Sequence, residues 1–450
     1  MTSIEQLYDI FFQHPQVTTD SRDCPQGSMF FALKGERFDG NQYAADCLAK
    51  GCACAVVDDP TVCVEGDARY VLVDDVLRTL QLLSRHHRRV LGTTIIGITG
   101  TNGKTTTKEL CAAVLSRKYN IHYTQGNFNN SIGVPKTLLQ LKPEHQLAVV
   151  EMGASHPGDI EELVTLVEPQ YGLITNVGRA HLLGFGSFEG VCRTKGELYD
   201  FLRSHGGKAF VNQDNEYLTA MAQGLPRIDY VEAEAVTGGA MLRAKMLGRE
   251  VQTHLVGAYN LDNLRAAATV GLQMGVSEED ICAALSDYVP SNNRSQFMHT
   301  AHNDLIVDAY NANPTSMAAA LDNFEQMDAP HKMCILGMMG ELGDDSRMEH
   351  ERLLQRLQGM QLEEVWLVGS EFESLVSEAE AHTSESESLG SEPSDSQSCP
   401  AVPQRRCGHI VFFPDVEAVK QAIAAQQPQG RTILIKGSNS THLFQLPPLL

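Results

Sequence analysis

The chain has 450 residues, 42% of them hydrophobic and 20% charged. That balance is ordinary for a globular protein, and the length suggests about three domains. Acidic residues outnumber basic ones 56 to 35, a formal net charge of −21, which argues against nucleic acid or an anionic membrane as the main partner. The opening Met1-Thr-Ser-Ile-Glu-Gln-Leu-Tyr-Asp9 carries neither a basic nor an apolar targeting stretch, and no later run approaches membrane-spanning length; membrane insertion is not expected. Eleven cysteines occur without a C-x-x-C pair, which reads as reduced thiols in a cytoplasm, with Cys52-Ala-Cys54 a buried strand edge.

Residues 1–90 read as a small α/β unit. Strands are expected at Gly27–Leu33, Ala53–Val57 and Tyr70–Val73, and helices at Gln42–Lys50 and from Asp75 to Val90. The second helix ends in Arg85-His-His-Arg-Arg89, a cationic last turn that complements its own dipole. Residues 91–296 alternate strands (Thr94–Ile98, Leu147–Glu151, Gly172–Asn176, Ala209–Asn212) with helices (Lys104–Lys118, Gly158–Val167, Leu261–Met274), the pattern of a doubly wound, mostly parallel sheet whose ligands gather at the carboxyl ends of its strands. Ser277-Glu-Glu-Asp280 opens one more helix with a good cap. Residues 297–450 repeat the alternation as a second, smaller, Rossmann-like α/β sheet, with strands at Leu305–Asp308, Met333–Leu336, Val365–Val368, His409–Phe413 and Thr432–Ile435. Within it residues 377–408 are polar, acidic and low in complexity, and read as a disordered surface loop.

The chemistry centres on Gly97-Ile-Thr-Gly100-Thr101-Asn102-Gly103-Lys104-Thr105-Thr106. A β-branched strand, a glycine-containing turn and Lys-Thr at a helix start make a phosphate-cradling loop, although Ile98 stands where the strict pattern has its first glycine. The glycines let backbone N–H groups close on phosphate oxygens, Lys104 reaches the terminal phosphates, and the Thr105 hydroxyl suits Mg²⁺. ATP is the expected ligand. Glu151, ending an apolar strand, is either a magnesium-side carboxylate or a solvated strand-end acid. His181, in Thr175-Asn-Val-Gly-Arg-Ala-His181, lies just past a strand end, near Thr194-Lys195-Gly-Glu197. Asn260 and Asn263 are either helix caps or readers of an adenine edge. Arg294 and the loop Asp308-Ala-Tyr310-Asn311-Ala-Asn313-Pro314 make a further binding candidate, or a capped turn.

Taken together, these residues resemble the Mur ligases, the ATP-dependent amide-forming enzymes of peptidoglycan assembly. The motifs that carry the likeness are Asp20-Ser21-Arg22, Met29-Phe-Phe-Ala-Leu33, the phosphate loop, Gly126-Asn-Phe-Asn129-Asn130, Glu151-Met-Gly153, Ile174-Thr-Asn-Val-Gly178 with His181, Lys195-Gly-Glu197, Tyr310-Asn-Ala-Asn-Pro314, Glu341-Leu-Gly343 with His350, and Lys436-Gly-Ser438. They span the chain except for the acidic insert. The Tyr-Asn-Ala-Asn-Pro loop is similar to that of the members that add D-alanyl-D-alanine to UDP-N-acetylmuramoyl-tripeptide.

The resemblance implies a UDP-substrate-binding unit (1–90), an ATP-binding unit (91–296) and a C-terminal ligase unit (297–450). It implies that ATP phosphorylates the carboxylate ending the tripeptide and that the dipeptide amine attacks the acyl phosphate. Lys104 would meet the β- and γ-phosphates; Thr105, Glu151, His181 and Lys195 would hold two Mg²⁺ ions, Lys195 as a carbamate. Asn263 would meet adenine, Arg294 the phosphates and Asp308 the ribose. Ser21 and Arg22 would lie on the uridine nucleotide, Asn129 and Asn130 near the substrate, Asn41, Tyr310, Asn311 and Asn313 among the further substrate contacts, and Lys436 facing the incoming dipeptide. A monomer is expected. Three positions depart from the family pattern: Gly337-Met-Met-Gly340 lacks a usual aspartate, Asn439 replaces a frequent arginine, and Asn41 a common histidine. Two other readings are a folylpolyglutamate-synthetase-type ligase, which has no use for Asp20-Ser-Arg22, and a non-catalytic ATP-binding switch, which has no use for Glu151, His181 and Lys195.

Overall fold

A computed structural model of the chain describes residues 2–236, 238–373, 375, 405–407 and 409–450. Three main sheets follow one another along the sequence. The first is four-stranded and parallel, ordered Val17–Thr18, Met29–Phe31, Cys54–Val57, Tyr70–Leu72. Cys54–Val57 is buried along its whole length, as expected for a parallel strand covered on both faces. The 3₁₀ turn Gly40–Tyr43 leads into the helix Ala44–Lys50.

The helix Val76–Leu91, N-capped by Asp75, ties this unit to the next one. Arg88 is buried, and its guanidinium donates to the carbonyls of Val167 (2.8 Å) and Glu168 (2.7 Å). Those are the last carbonyls of the helix Asp159–Val167, which have no partner within their own helix. The cationic turn thus serves a neighbouring helix as well as its own, because packing brings the two ends together.

The central sheet is six-stranded and all parallel. Its order is Arg227–Asp229, Lys208–Val211, Tyr171–Ile174, Thr94–Thr99, Leu147–Glu151, Ile121–Tyr123. The helices Lys104–Leu115 and Leu261–Gln273 pack on one face over Ile96, Ile98 and Val149; Asp159–Val167 and Phe188–His205 pack on the other over Ile95, Ala148 and Val150. Doubly wound topology sets the phosphate loop, Glu151 and the turn after Ile174 along one edge.

The last sheet is the larger one, with ten strands, which corrects the expectation of a smaller second sheet. Five parallel strands form its centre, in the order Asp304–Asp308, Thr432–Lys436, Lys332–Gly337, Glu364–Val368, Ile410–Phe413. Antiparallel Gln296–His299 and Arg405–Cys407 flank them. The three extra strands, Ala233–Val236, Met241–Met246 and Arg249–Val256, form a meander linked to this sheet at the Leu255–Gln296 pair. Their apolar side chains Leu242, Ala244, Val251 and Leu255 join the core of the central sheet. This meander is absent from the sequence reading, although Val251, Thr253 and Leu255 are buried in alternation with exposed neighbours. Its hairpin turn, Leu247-Gly248, has positive φ at both residues (51° and 69°), a type I′ geometry that is normally signalled by Asn-Gly. The expected disordered loop at 377–408 lies outside the described residues except at its end, where Arg405–Cys407 pairs as an edge strand and corrects that boundary. Among the described residues, the cysteines are free thiols, and no helix is long and apolar enough to cross a membrane.

Candidate active site

The carboxyl edges of the central and last sheets face each other across a cavity of about 720 Å³. The phosphate loop forms its floor. After the buried strand Thr94–Thr99 the chain turns through Gly100 (φ 141°) and Gly103 (φ 79°) into the helix Lys104–Leu115. A Cβ on Gly100 would lie 2.0 Å from Thr175 Oγ1, and one on Gly103 would lie 2.6 Å from Asn263 Oδ1. Close approach as well as positive φ therefore requires glycine at both positions. Asn176 laces the loop down: its Oδ1 accepts from the Asn102 N–H (3.0 Å) and its Nδ2 donates to the Asn102 carbonyl (3.0 Å). Thr175 Oγ1 donates to the same carbonyl at 2.7 Å.

Lys104 curls back over this loop, Nζ donating to the carbonyls of Gly100 (2.7 Å) and Thr101 (3.0 Å). Burial lowers its pKa to about 8, Glu151 opposing the shift and Arg294 adding to it. Beside it Glu151 is buried. Its Oε1 accepts from Thr105 Oγ1 (3.2 Å) and Asn129 Nδ2 (2.8 Å), while its Oε2 has no partner. A buried orphan carboxylate oxygen beside a threonine hydroxyl suits a hard cation that keeps some of its waters, as Mg²⁺ does. Among the described residues no cluster of three His, Cys, Asp or Glu side chains forms an all-protein metal cage, and a phosphate-bound Mg²⁺ does not need one.

Lys195, on the helix Phe188–His205, is 2% exposed; its Nζ lies 3.4 Å from the Ala154 carbonyl and 5.1 Å from the centre of the Phe185 ring. Burial, reinforced by the Lys104 charge, pushes its pKa well down, so the amine is held toward its neutral, nucleophilic form. His181 lines the cavity with a left-handed backbone (φ 52°), and its Nδ1 lies against the Glu341 carboxylate. That contact is the first cause of a lowered Glu341 pKa, despite partial burial.

The facing wall belongs to the last sheet. Asp308 and Lys436 end adjacent, paired strands, and Lys436 Nζ meets Asp308 Oδ2 at 2.6 Å. The residues implied for the ribose and for the dipeptide thus form one ion pair, with the lysine buried. Arg294 stacks on Tyr310, 3.7 Å from guanidinium carbon to ring centre, and its Nε is buried without a partner. Asn313 caps the helix Pro314–Gln326 through the Ser316 N–H (2.9 Å), and its Nδ2 donates to Asn102 Oδ1 (2.8 Å), so a cap of the last unit touches the phosphate loop.

Of the residues singled out from the sequence, Thr101, Asn102, Gly103, Lys104, Thr106, Asn129 and Asn130 line the cavity. So do Glu151, His181, Asn263, Arg294, Asp308, Tyr310, Asn311 and Lys436. Gly100, Thr105, Lys195 and Asn313 lie behind this lining. Asn263 does not cap its helix: its Oδ1 accepts from Thr107 Oγ1 (3.0 Å) and its Nδ2 donates to Asn260 Oδ1 (2.8 Å). Ser21, Arg22 and Asn41 are apart from the cavity. Arg22 is exposed and chelated by Asp20 (Nη2 to Oδ2, 2.8 Å). Both amide hydrogens of buried Asn41 go to Asp39 and Asp58, each at 2.8 Å. The cavity also recruits Asp159, Glu162, Tyr259, Ser295 and Glu341, which the sequence reading did not offer as site residues. Glu341 stood in a quoted motif, but its left-handed φ of 61° and its partner are tertiary facts.

Three protein-family models match in succession: Mur ligase family, catalytic domain, over residues 15–88; Mur ligase middle domain over 98–271; and Mur ligase, glutamate ligase domain, over 293–439. The chain belongs to the Mur ligase family. Among its relatives, the UDP-N-acetylmuramoyl-tripeptide–D-alanyl-D-alanine ligase of Bacillus subtilis (strain 168) is 35% identical over 348 residues, 74% of this chain and 76% of that one. A crystal structure of MurF from Acinetobacter baumannii superposes with a TM-score of 0.80 at 32% identity, covering 96% of this chain and 92% of that one. The Thermotoga maritima MurF, solved with ADP, shares the fold at a TM-score of 0.79 and 24% identity, over 98% of this chain and 97% of its own.

Proposed function

We propose that this chain is an ATP-dependent ligase that forms the amide bond between UDP-N-acetylmuramoyl-tripeptide and D-alanyl-D-alanine in peptidoglycan precursor synthesis. The observation that carries the reading is the pairing of a lysine-bearing phosphate loop with the half-satisfied Glu151 on one wall of a cleft. An ion-paired Asp308–Lys436 wall faces it, in a chain whose 30–35% identical relatives bear that enzyme's name.

A carboxylate has no useful leaving group at neutral pH, so ATP phosphorylates it. The dipeptide amine then attacks the acyl carbon, and phosphate leaves from the tetrahedral intermediate. Charge developing on the phosphoryl oxygens calls for cations and N–H groups fixed beforehand. Lys104 and the loop amides supply these, and Arg294, with its unpartnered Nε, approaches from the far wall. Bound Mg²⁺ would supply positive charge against the phosphates; Thr105, Glu151, His181 and a carbamylated Lys195 are the residues that would hold it. Carbamylation needs the free amine: nitrogen bonds to the carbon of CO₂ and releases a proton, leaving a carboxylate-like oxygen pair. The suppressed charge on Lys195 supports that step. Acyl phosphates hydrolyse in water, so the cleft must close before chemistry. The chain acts as a cytoplasmic monomer in this reading.

The test is ADP release with each candidate nucleotide-peptide, with and without D-alanyl-D-alanine. Release that requires both substrates is expected; release indifferent to the dipeptide overturns the ligase assignment. In the same assay Lys195→Ala should lose roughly 100-fold in turnover and recover part of it with added short carboxylic acids. Full turnover in that variant overturns the carbamate.

A further inference from the structure

The segment after the strand Tyr171–Ile174 leans across the cleft onto the C-terminal domain at three points. Arg179 Nη1 lies 3.8 Å from Glu349 Oε1. The Leu183 side chain covers Gly343, where an added Cβ would lie 3.1 Å from Leu183 Cδ1. Between them, His181 Nδ1 is buried against Glu341 Oε2 as a charge contact and makes no hydrogen bond of regular geometry among the described residues. Both residues of this pair have left-handed backbones, with φ of 52° and 61°. Residues with side chains hold such conformations only where their surroundings over-determine them, typically at working sites. An exposed ion pair that merely staples two domains would need neither strain nor a buried ring nitrogen.

A histidine that binds a metal or a phosphate oxygen commonly hands its second ring N–H to a carboxylate, which fixes the tautomer and the ring plane. We propose that Glu341 is a positioning residue: it accepts the Nδ1–H of His181, leaving Nε2 as the ring's lone pair for the cavity. Because Glu341 is on the opposite domain, it does so only when the cleft is closed. His181 is then ready only after both domains have met around the substrates, which guards ATP against hydrolysis in the open enzyme. The inference rests on the ligase reading for the task of His181, and on the contact alone for the state of its ring.

The experiment uses the full-length chain labelled with ¹⁵N-histidine, the His181 ring resonances being assigned by their loss in His181→Gln. With a non-hydrolysable ATP analogue and the nucleotide-peptide bound, so that the cleft is closed, the unsubstituted protein should show a protonated Nδ1 and an unprotonated Nε2, and the variants are compared in the same state. Glu341→Gln, whose amide oxygen still accepts, should keep that pattern, whereas Glu341→Ala should shift toward the Nε2–H tautomer. Turnover should fall about 10–100-fold in Glu341→Ala, with the KM for the nucleotide-peptide within about twofold, and by less than about threefold in Glu341→Gln. Arg179→Ala removes a docking contact without touching the ring and should resemble Glu341→Gln. The proposal is overturned by an unchanged tautomer in Glu341→Ala, by Glu341→Gln falling as far as Glu341→Ala, or by Arg179→Ala losing as much. Absence of any dipeptide-dependent ADP release in the unsubstituted enzyme defeats the ligase reading instead, and leaves the tautomer result to decide the positioning role.

Discussion

Lys104 holds its own loop together through the carbonyls of Gly100 and Thr101, and burial lowers its pKa to about 8 from the 10.5 of a free lysine. A triphosphate would take the place of those carbonyls and favour the ammonium form. Below about pH 8 the free enzyme already carries that proton, and nucleotide affinity should be flat. Above it the unliganded lysine is neutral while the liganded one stays charged, so binding takes up a proton and affinity falls, by up to about tenfold per pH unit. Calorimetric titration of a non-hydrolysable ATP analogue, in buffers of different ionisation heat, reads both the affinity and the proton. Constant affinity between about pH 7 and pH 10 would disprove the coupling. Met338 also acts at this scale. It stands where the resemblance implies an aspartate, and it packs against the apolar core of the C-terminal sheet and over Gly369. An apolar side chain there joins a core from which a carboxylate would have to be kept out or paired.

Helices communicate across the unit boundaries through their ends. Arg88, on the helix Val76–Leu91, satisfies two terminal carbonyls of Asp159–Val167, the helix whose first turn adjoins Ser155 and His156 of the cavity wall. Arg88→Ala would leave these carbonyls unpaired in a buried place, and should lower stability by about 2–4 kcal/mol. Thermal melting should show it clearly; a midpoint within about 2 °C of the parent would refute the capping role. The same helix pair engages two cations of the basic cluster at 85–89: Arg88 is buried, and Arg89 is paired with Glu168. The meander of Met241–Met246 and Arg249–Val256 makes a different point. Its β-alternation was present in the residues, but a Leu-Gly turn hides a hairpin from any reading that looks for Asn-Gly or Asp-Gly.

Across the whole molecule, the cleft is bridged by Asn102 to Asn313, His181 to Glu341 and Arg179 to Glu349. These contacts are polar, with Leu183 over Gly343 beside them, and are of the kind that opens and closes, whereas each sheet has an apolar core of its own. Rigid-body closure of the C-terminal unit on the central one is therefore expected when ATP and the nucleotide-peptide bind. Small-angle scattering should show a smaller radius of gyration with both ligands than without them. Superimposable curves would rule this out.

The phosphate loop, Glu151 and the alternation of buried strands with helices were legible in the residues, because glycine turns, strand length and period are local properties of the chain. Glu151 at a strand end, however, was balanced between solvated acid and magnesium ligand. Its unpartnered, buried Oε2 tips that balance, and burial is a property of the packed molecule. The sequence also supplied Asp308 and Lys436 separately; strand order made them one ion pair, since only the sheet sets residues 128 positions apart side by side. Asn41 went the other way, from candidate contact to buried bracket between Asp39 and Asp58. Residue types and their local spacing thus determined which chemistry is present, while the approach of distant strands and of two domains decided which side chains meet, which stay unpaired and which are already taken.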